Sequence, residues 1–187
     1  MPVTFDRVND FFQDRPFFSM VKGGIGVEVG VFKGYNAINI LNHCKPDKLY
    51  LVDAYKEYDD GCDLKLVTPT GSIALAVIKQ NDWDGVYLET QERLKDFSNV
   101  VFVRKDSVDA AMELPDNIDW VYIDGNHSRE SVLKDIKAWY PKVKRGGLIG
   151  GHDITNPPVH NAVQEWIVEN YDSAPIRRIY EDWWVVK

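Results

Sequence analysis

The chain has 187 residues, which suits one domain, residues 1–187, with a full-sized core rather than two domains. Lys and Arg number 22 against 29 Asp and Glu, and the net charge of −7 argues against general nucleic-acid binding. No apolar run approaches the length of a membrane span, Met1 to Asp10 has no signal-peptide core, and Cys44 and Cys62 form no metal-type spacing; a soluble, cytoplasmic protein is expected.

In chain order, Phe5, Val8, Phe11 and Phe12 fall at helical spacing and predict a helix over residues 4–20, with Pro16 closing the pattern, ahead of a core over 22–187. Ile25 to Val29 reads as a strand that runs into Gly30, and a helix begins near Tyr35. Leu49 to Val52 is a second strand, closed by Asp53. The polar stretch Ala54 to Pro69 is long for a connection and reads equally as a substrate lid or a mobile loop. Helical patterns occupy Ser72 to Gln80 and Gly85 to Phe97, and Val100 to Val103 is a third strand, followed by a helix through Met112. Asp119 to Ile123 is a fourth; Ser128 caps the next helix, with Val132, Ile136 and Trp139 on one face, and Gly146 and Gly147 end that element. Leu148 to Gly151 is a fifth strand, and Pro158 suits the first turn of the last helix. Ile176 to Tyr180 and Trp183 to Val186 are too close for a helical crossover, so they pair as a hairpin. The alternation predicts an α/β fold: a doubly wound, mostly parallel sheet with helices on both faces and a C-terminal antiparallel hairpin. Ligands of such sheets bind at the carboxyl ends of the strands, where the strand order reverses.

Polar residues gather at those ends. In Glu28-Val29-Gly30-Val31-Phe32-Lys33-Gly34, Gly30 allows a tight turn and Gly34 a close approach of the helix start to a ligand. Phe32 and Asn36 do not supply the Gly-x-Gly-x-x-Gly of a dinucleotide site, which counts against a nucleotide-cofactor oxidoreductase. Glu28, just before the first glycine, suits a ligand bearing an ammonium or sulfonium charge. Asp53 at the tip of the second strand is placed to accept from ribose hydroxyls; a turn aspartate is the plainer alternative. Asp106 and Ser107 can address an adenine amino group and ring nitrogen, or simply open a helix. Asp124 with His127, and His152 with Asp153, stand at two adjacent strand ends, where they can surround a metal ion, flank a substrate hydroxyl, or hold loops.

Glu28 to Gly34, Leu51-Val52-Asp53, Ile123-Asp124-Gly125-Asn126-His127-Ser128 and Gly146 to Asp153 together resemble class I S-adenosylmethionine-dependent methyltransferases. The similarity is to the small-molecule branch with Asp-Gly-x-His and Gly-His-Asp motifs, which includes sugar and antibiotic O-methyltransferases and cephalosporin-hydroxylase-like relatives, and it covers roughly residues 22–155. It implies a seven-stranded Rossmann-like sheet and transfer of a methyl group from S-adenosylmethionine to a small-molecule acceptor, at a hydroxyl. Glu28, Gly30 and Gly34 would surround the methionine part of the cofactor, with Phe32 in the same motif. Asp53 would hold the ribose, Asp106 and Ser107 would lie near the adenine, and Asp124 would border both cofactor and acceptor. Asp124 and Asp153 fall where metal-dependent relatives bind magnesium. His152 stands where those relatives usually carry Asp or Glu, so the alternatives are a softer metal on Asp124, His152 and Asp153, or a metal-free site with His127 or His152 as base. The acceptor pocket would come from the N-terminal helix, the Ala54–Pro69 loop and the residues around Thr155 to His160, or from a second subunit of a homo-oligomer. A non-catalytic cofactor-binding module is the remaining alternative.

Overall fold

The computed structural model describes residues 15–56, 65–68, 71–74, 80–170 and 175–187. Its strands are β1 (Ile25–Val29), β2 (Lys48–Val52), β3 (Lys65–Thr68), β4 (Gly71–Ala74), β5 (Val100–Val103), β6 (Ile118–Ile123), β7 (Val143–Gly151), β8 (Arg177–Ile179) and β9 (Asp182–Val186). The α-helices are α1 (Tyr35–His43), α2 (Gln80–Leu94), α3 (Ser107–Glu113), α4 (Arg129–Trp139) and α5 (Pro157–Glu169). Seven strands form one sheet in the order β5-β2-β1-β6-β7-β9-β8. β1, β2, β5, β6 and β7 run parallel, while β9 pairs antiparallel with both β7 and β8. This is the doubly wound sheet with a closing hairpin that the alternation of elements predicts.

The chain winds outward from β1 in two directions, to β2 and β5 on one side and to β6 and β7 on the other. The reversal lies between β1 and β6, so a crevice opens beyond their carboxyl ends. The two faces of the sheet have separate cores. On one face Val27, Val121 and Ile149 pack with Trp139 of α4 and Trp166 of α5. On the other, Leu49, Leu51 and Trp120 pack with Ile40 of α1 and Leu94 of α2. Phe17 and Phe18, in a 3-10 helix over Pro16–Met20, complete this second core against Tyr122 and Trp120. Burial on both faces explains why the central strands are near-continuous apolar runs.

Three expectations are corrected. Within Ser72 to Gln80, the segment to Ala74 belongs to strand β4, paired antiparallel with β3, and Gln80 opens α2. Two residues separate the paired strands, a spacing that favours a hairpin, and cross-strand pairing outweighs a short apolar run that reads equally as helix. Gly146 and Gly147 do not end a helix: α4 stops at Trp139, a 3-10 turn spans Tyr140–Lys142, and both glycines lie inside β7. Of the helix expected over 4–20, residues 16–20 form the 3-10 helix and residues 4–14 lie outside the described residues. Among the described residues, no helix is long and apolar enough to cross a membrane.

The sheet leaves little slack beneath the crevice. A methyl group on Gly26 of β1 would sit 2.1 Å from the Trp120 ring, which is itself buried in β6. Gly26→Ala is therefore expected to lower unfolding stability by roughly 1–3 kcal/mol, read as a shift of the urea midpoint at unchanged slope. An unshifted midpoint would contradict this packing.

Candidate active site

The site is organised by the chain leaving β1. Gly30 adopts a φ of 88°, and a Cβ there would lie 2.2 Å from the carbonyl oxygen of Asp124, so only glycine lets the ends of β1 and β6 pass this closely. Its N–H donates to Val52 O of β2 at 2.9 Å. Asp53 then gathers the loop that follows: Oδ2 accepts from Val31 N (3.0 Å) and Phe32 N (2.9 Å), and Oδ1 from Tyr55 N (2.9 Å). Burial pushes the Asp53 carboxyl above its ordinary range, against the pull of these N–H donors. Asp53 is thus both a turn aspartate and a wall of the crevice, so the two readings of this residue coexist.

A cavity of about 970 Å³ opens here, bounded by Gly30, Asp53, Asp106, Ser107, Asn126 and Asp135 among others. Of the expected cofactor residues, Gly30, Asp53, Asp106 and Ser107 reach its wall, whereas Glu28, Phe32, Gly34 and Asp124 do not. Phe32 has a left-handed φ of 48° and turns its ring onto Trp83. A Cβ on Gly34 would meet Thr90 at 2.8 Å, so this glycine serves the packing of α2. Asp106 is half-exposed and paired with Lys56 Nζ at 2.7 Å. Ser107 Oγ accepts from Trp139 Nε1 at 2.8 Å and bonds Asp135, a buried residue of α4 whose carboxyl burial pushes up to about 7.

Beneath the cavity lies a buried acidic cluster. Glu28 is 1% exposed; Oε1 accepts from Asn36 Nδ2 at 2.7 Å, and Oε2 has no hydrogen-bond partner among the described residues. Burial drives its carboxyl up to about 8, with Asn36 pulling the other way and Asp124 and Asp53 adding repulsion. Asp124 behaves oppositely. Burial would raise it, but Arg15 and the neighbouring histidines overcome that and hold it at about 2.

Arg15, which precedes the 3-10 helix, reaches Asp124 Oδ2 at 3.1 Å and donates to Tyr122 OH at 2.9 Å. Tyr122 OH donates to Asp182 Oδ1 at 2.7 Å, and Asp182 Oδ2 accepts from Phe17 N at 2.9 Å. This chain of bonds fastens the segment around Arg15 to β6 and β9. Nothing local in the sequence marks Arg15, Tyr122 or Asp182 as part of the site. Asp135 was likewise missed because a helix aspartate ordinarily faces water.

The paired motifs do converge. His127 Nε2 lies between Asp124 Oδ1 (3.4 Å) and Asp153 Oδ2 (3.3 Å), and His152 Nδ1 lies 3.1 Å from Asp153 Oδ1. Burial opposes a charge on His127, but the two carboxylates outweigh it and raise its pKa. Asp124, His152 and Asp153 can bring ligand atoms within 4.8 Å of one another. Yet every oxygen of the two carboxylates already faces a nitrogen of Arg15, His127 or His152. With an imidazole in the set as well, these residues do not suit a resident magnesium ion.

Residues 27–154 match the family model described as a methyltransferase domain, and the chain belongs to that family. The resemblance to class I methyltransferases seen in the sequence is borne out. The O-methyltransferase NovP is similar in fold, with a TM-score of 0.65 and 20% identity, over 97% of this chain and 79% of that one. CalS11, a calicheamicin methyltransferase, gives 0.59 and 14% over 96% and 76%. A putative methyltransferase from Streptococcus mutans, solved with SAH, gives 0.58 and 12% over 91% and 92%. No curated protein matches the sequence.

Glu28 provides a test of the buried cluster. Its folded-state pKa lies above that of an unfolded glutamate, so the stability tied to its neutral form is full in acid and is lost as pH rises through about 8. Glu28→Gln keeps the shape and removes the titration. The ligand-free variant is expected to lose less melting temperature than wild type between about pH 6 and about pH 9, ending a few degrees above it at the alkaline end. Identical pH slopes would contradict a buried, neutral Glu28.

Proposed function

We propose that this chain transfers the methyl group of S-adenosylmethionine to a hydroxyl of a small acceptor. The observation that carries this reading is the convergence of Glu28, Asp53 and Asp124 about Gly30, with Asp53 on the cavity wall and the other two carboxyls buried beneath it. Three carboxylates drawn together in a buried place, one with an unpartnered oxygen, favour a cationic ligand over a pyrophosphate. The cavity is of the size that small-molecule cofactors occupy, and it lies at the switch point of the sheet. The similar structures, O-methyltransferase NovP and the Streptococcus protein with SAH, point the same way.

The residues fit the cofactor. Asp124, and Glu28 once the ligand's charge draws off its proton, would offset the positive charge of its methionine end, the Gly30 turn would let the backbone come close, and Asp53 would accept from the ribose. Asp106, Ser107 and Asp135 would border the base. When bound, the cofactor supplies a methyl carbon on a sulfonium sulfur. The acceptor oxygen would take that methyl group, and the carbon–sulfur bonding pair would stay with sulfur as a neutral thioether. The acceptor proton goes to His152. Asp153 holds Nδ1 of that ring at 3.1 Å, which leaves Nε2 as the nitrogen that takes the proton. Asp153 and Asp124 stabilise the resulting imidazolium charge, while the surrounding elements keep the reacting atoms aligned.

Isothermal titration calorimetry with S-adenosylmethionine and S-adenosylhomocysteine tests the cofactor directly. Micromolar binding is expected, weakened at least about tenfold by Asp53→Ala, which removes both the wall and the loop's anchor. His152→Gln should leave cofactor affinity within about twofold of wild type. It should lower radiolabelled methyl transfer to hydroxylated acceptors by roughly 100-fold or more. No binding of either ligand by wild type would overturn the proposal, and full turnover by the His152 variant would overturn the base.

A further inference from the structure

Among the described residues, Arg15 is the cation that reaches the carboxylate cluster from outside the strand-end motifs. Its guanidinium reaches Asp124 at 3.1 Å and Tyr122 OH at 2.9 Å, and its Cζ stands 5.8 Å from the centre of the Tyr122 ring. The residues that follow it are fixed. Pro16 opens the 3-10 helix, Phe17 N donates to Asp182, and Phe17 and Phe18 are fully buried against Tyr122. A long, flexible side chain on an otherwise loose segment would contribute little here. Arg15 instead departs from a backbone fixed at Phe17 N, which donates to Asp182, and at its own carbonyl, which accepts from Phe18 N at 3.1 Å, so its charge is delivered to one place.

We propose that Arg15 is the built-in cation of the methyl-transfer site, occupying at Asp124 the seat that a divalent metal would otherwise take. The proposal rests on the methyltransferase reading above and adds to it a metal-free mode of action. Asp124, His152 and Asp153 are close enough to share an ion, but an ion bound there would have to share the Asp124 carboxylate with the fixed positive charge already on Oδ2. A guanidinium stays protonated at any working pH and, unlike a bound ion, cannot be lost to chelators. Arg15 acts through Asp124: it is a positioning residue that keeps this carboxylate ionised and oriented. A purely structural ion pair would tether the N-terminal segment but would not govern metal affinity.

The test is Mn2+ binding, followed by calorimetry and by the electron paramagnetic resonance signal of free Mn2+, on the ligand-free chain. Wild type is expected to bind with a Kd above about 1 mM. Arg15→Gln should bind at least about tenfold more tightly, and that gain should vanish when Asp153→Asn is added. Arg15→Lys, which keeps the charge, should behave as wild type. Micromolar binding by wild type that is lost in Asp153→Asn would overturn the proposal, as would an Arg15→Gln variant no tighter than wild type. Should Arg15→Gln fail to fold, wild type and Arg15→Lys decide alone: weak binding by both supports the proposal, and micromolar binding by either overturns it. S-adenosylhomocysteine titrated into the same wild-type sample reads the cofactor assignment separately, since its failure to bind would remove the methyltransferase reading while leaving the competition between Arg15 and metal measured.

Discussion

The chain leaving β1 passes so close to the chain leaving β6 that a single methyl group on Gly30 would collide with the Asp124 carbonyl. This close passage determines what stands together at the crevice. Glu28 is two residues before Gly30 and Asp124 is the first residue past β6, so the crossing brings both carboxylates to the point where the strand order reverses. Asp53 arrives from β2 and ties the loop after Gly30 through the N–H groups of Val31 and Phe32, while Tyr55 N holds its other oxygen. The backbone contact is made once, by packing, and the electrostatics follow from it.

Burying three carboxylates in one place is costly, and the protein offsets the cost differently at each. Glu28 is held largely neutral by burial, Asp53 is pushed up by burial while three backbone N–H groups pull it back down, and Asp124 is kept ionised by Arg15 and the histidines. A ligand carrying positive charge relieves what remains. The same economy extends outward. Tyr122 and Asp182 hold Arg15, Asp182 holds the 3-10 helix, and that helix closes the second core. Site and core therefore share one network, and a change at Asp182 is felt at Asp124 through two intervening side chains.

The strands and their polar ends were legible because buried parallel strands are short apolar runs, and a carboxylate or glycine at the end of such a run is conspicuous. Ile25 to Val29 and Val100 to Val103 were read to the residue. The pairing of Asp124 and His127 with His152 and Asp153 was also readable, because adjacent strand ends must meet. What escaped depends on contacts distant in sequence. Arg15 meets Tyr122 across 107 positions, and no local pattern announces it. Asp135 is buried because α4 packs on α3 through Trp139 and Ser107, which a helical wheel does not reveal. Ser72 to Ala74 was misread because a short apolar stretch carries no decisive period, and its partner strand made the choice.

The central claim is that the crevice between β1 and β6 is the seat of a sulfonium cofactor. A crystal structure of the chain with S-adenosylhomocysteine tests it most directly. The account predicts the ligand in the cavity beside Gly30, with its ribose on Asp53, its base toward Ser107 and Asp135, and its amino acid end toward Glu28 and Asp124. Ligand density elsewhere on the protein, with this cavity filled only by solvent, would contradict it.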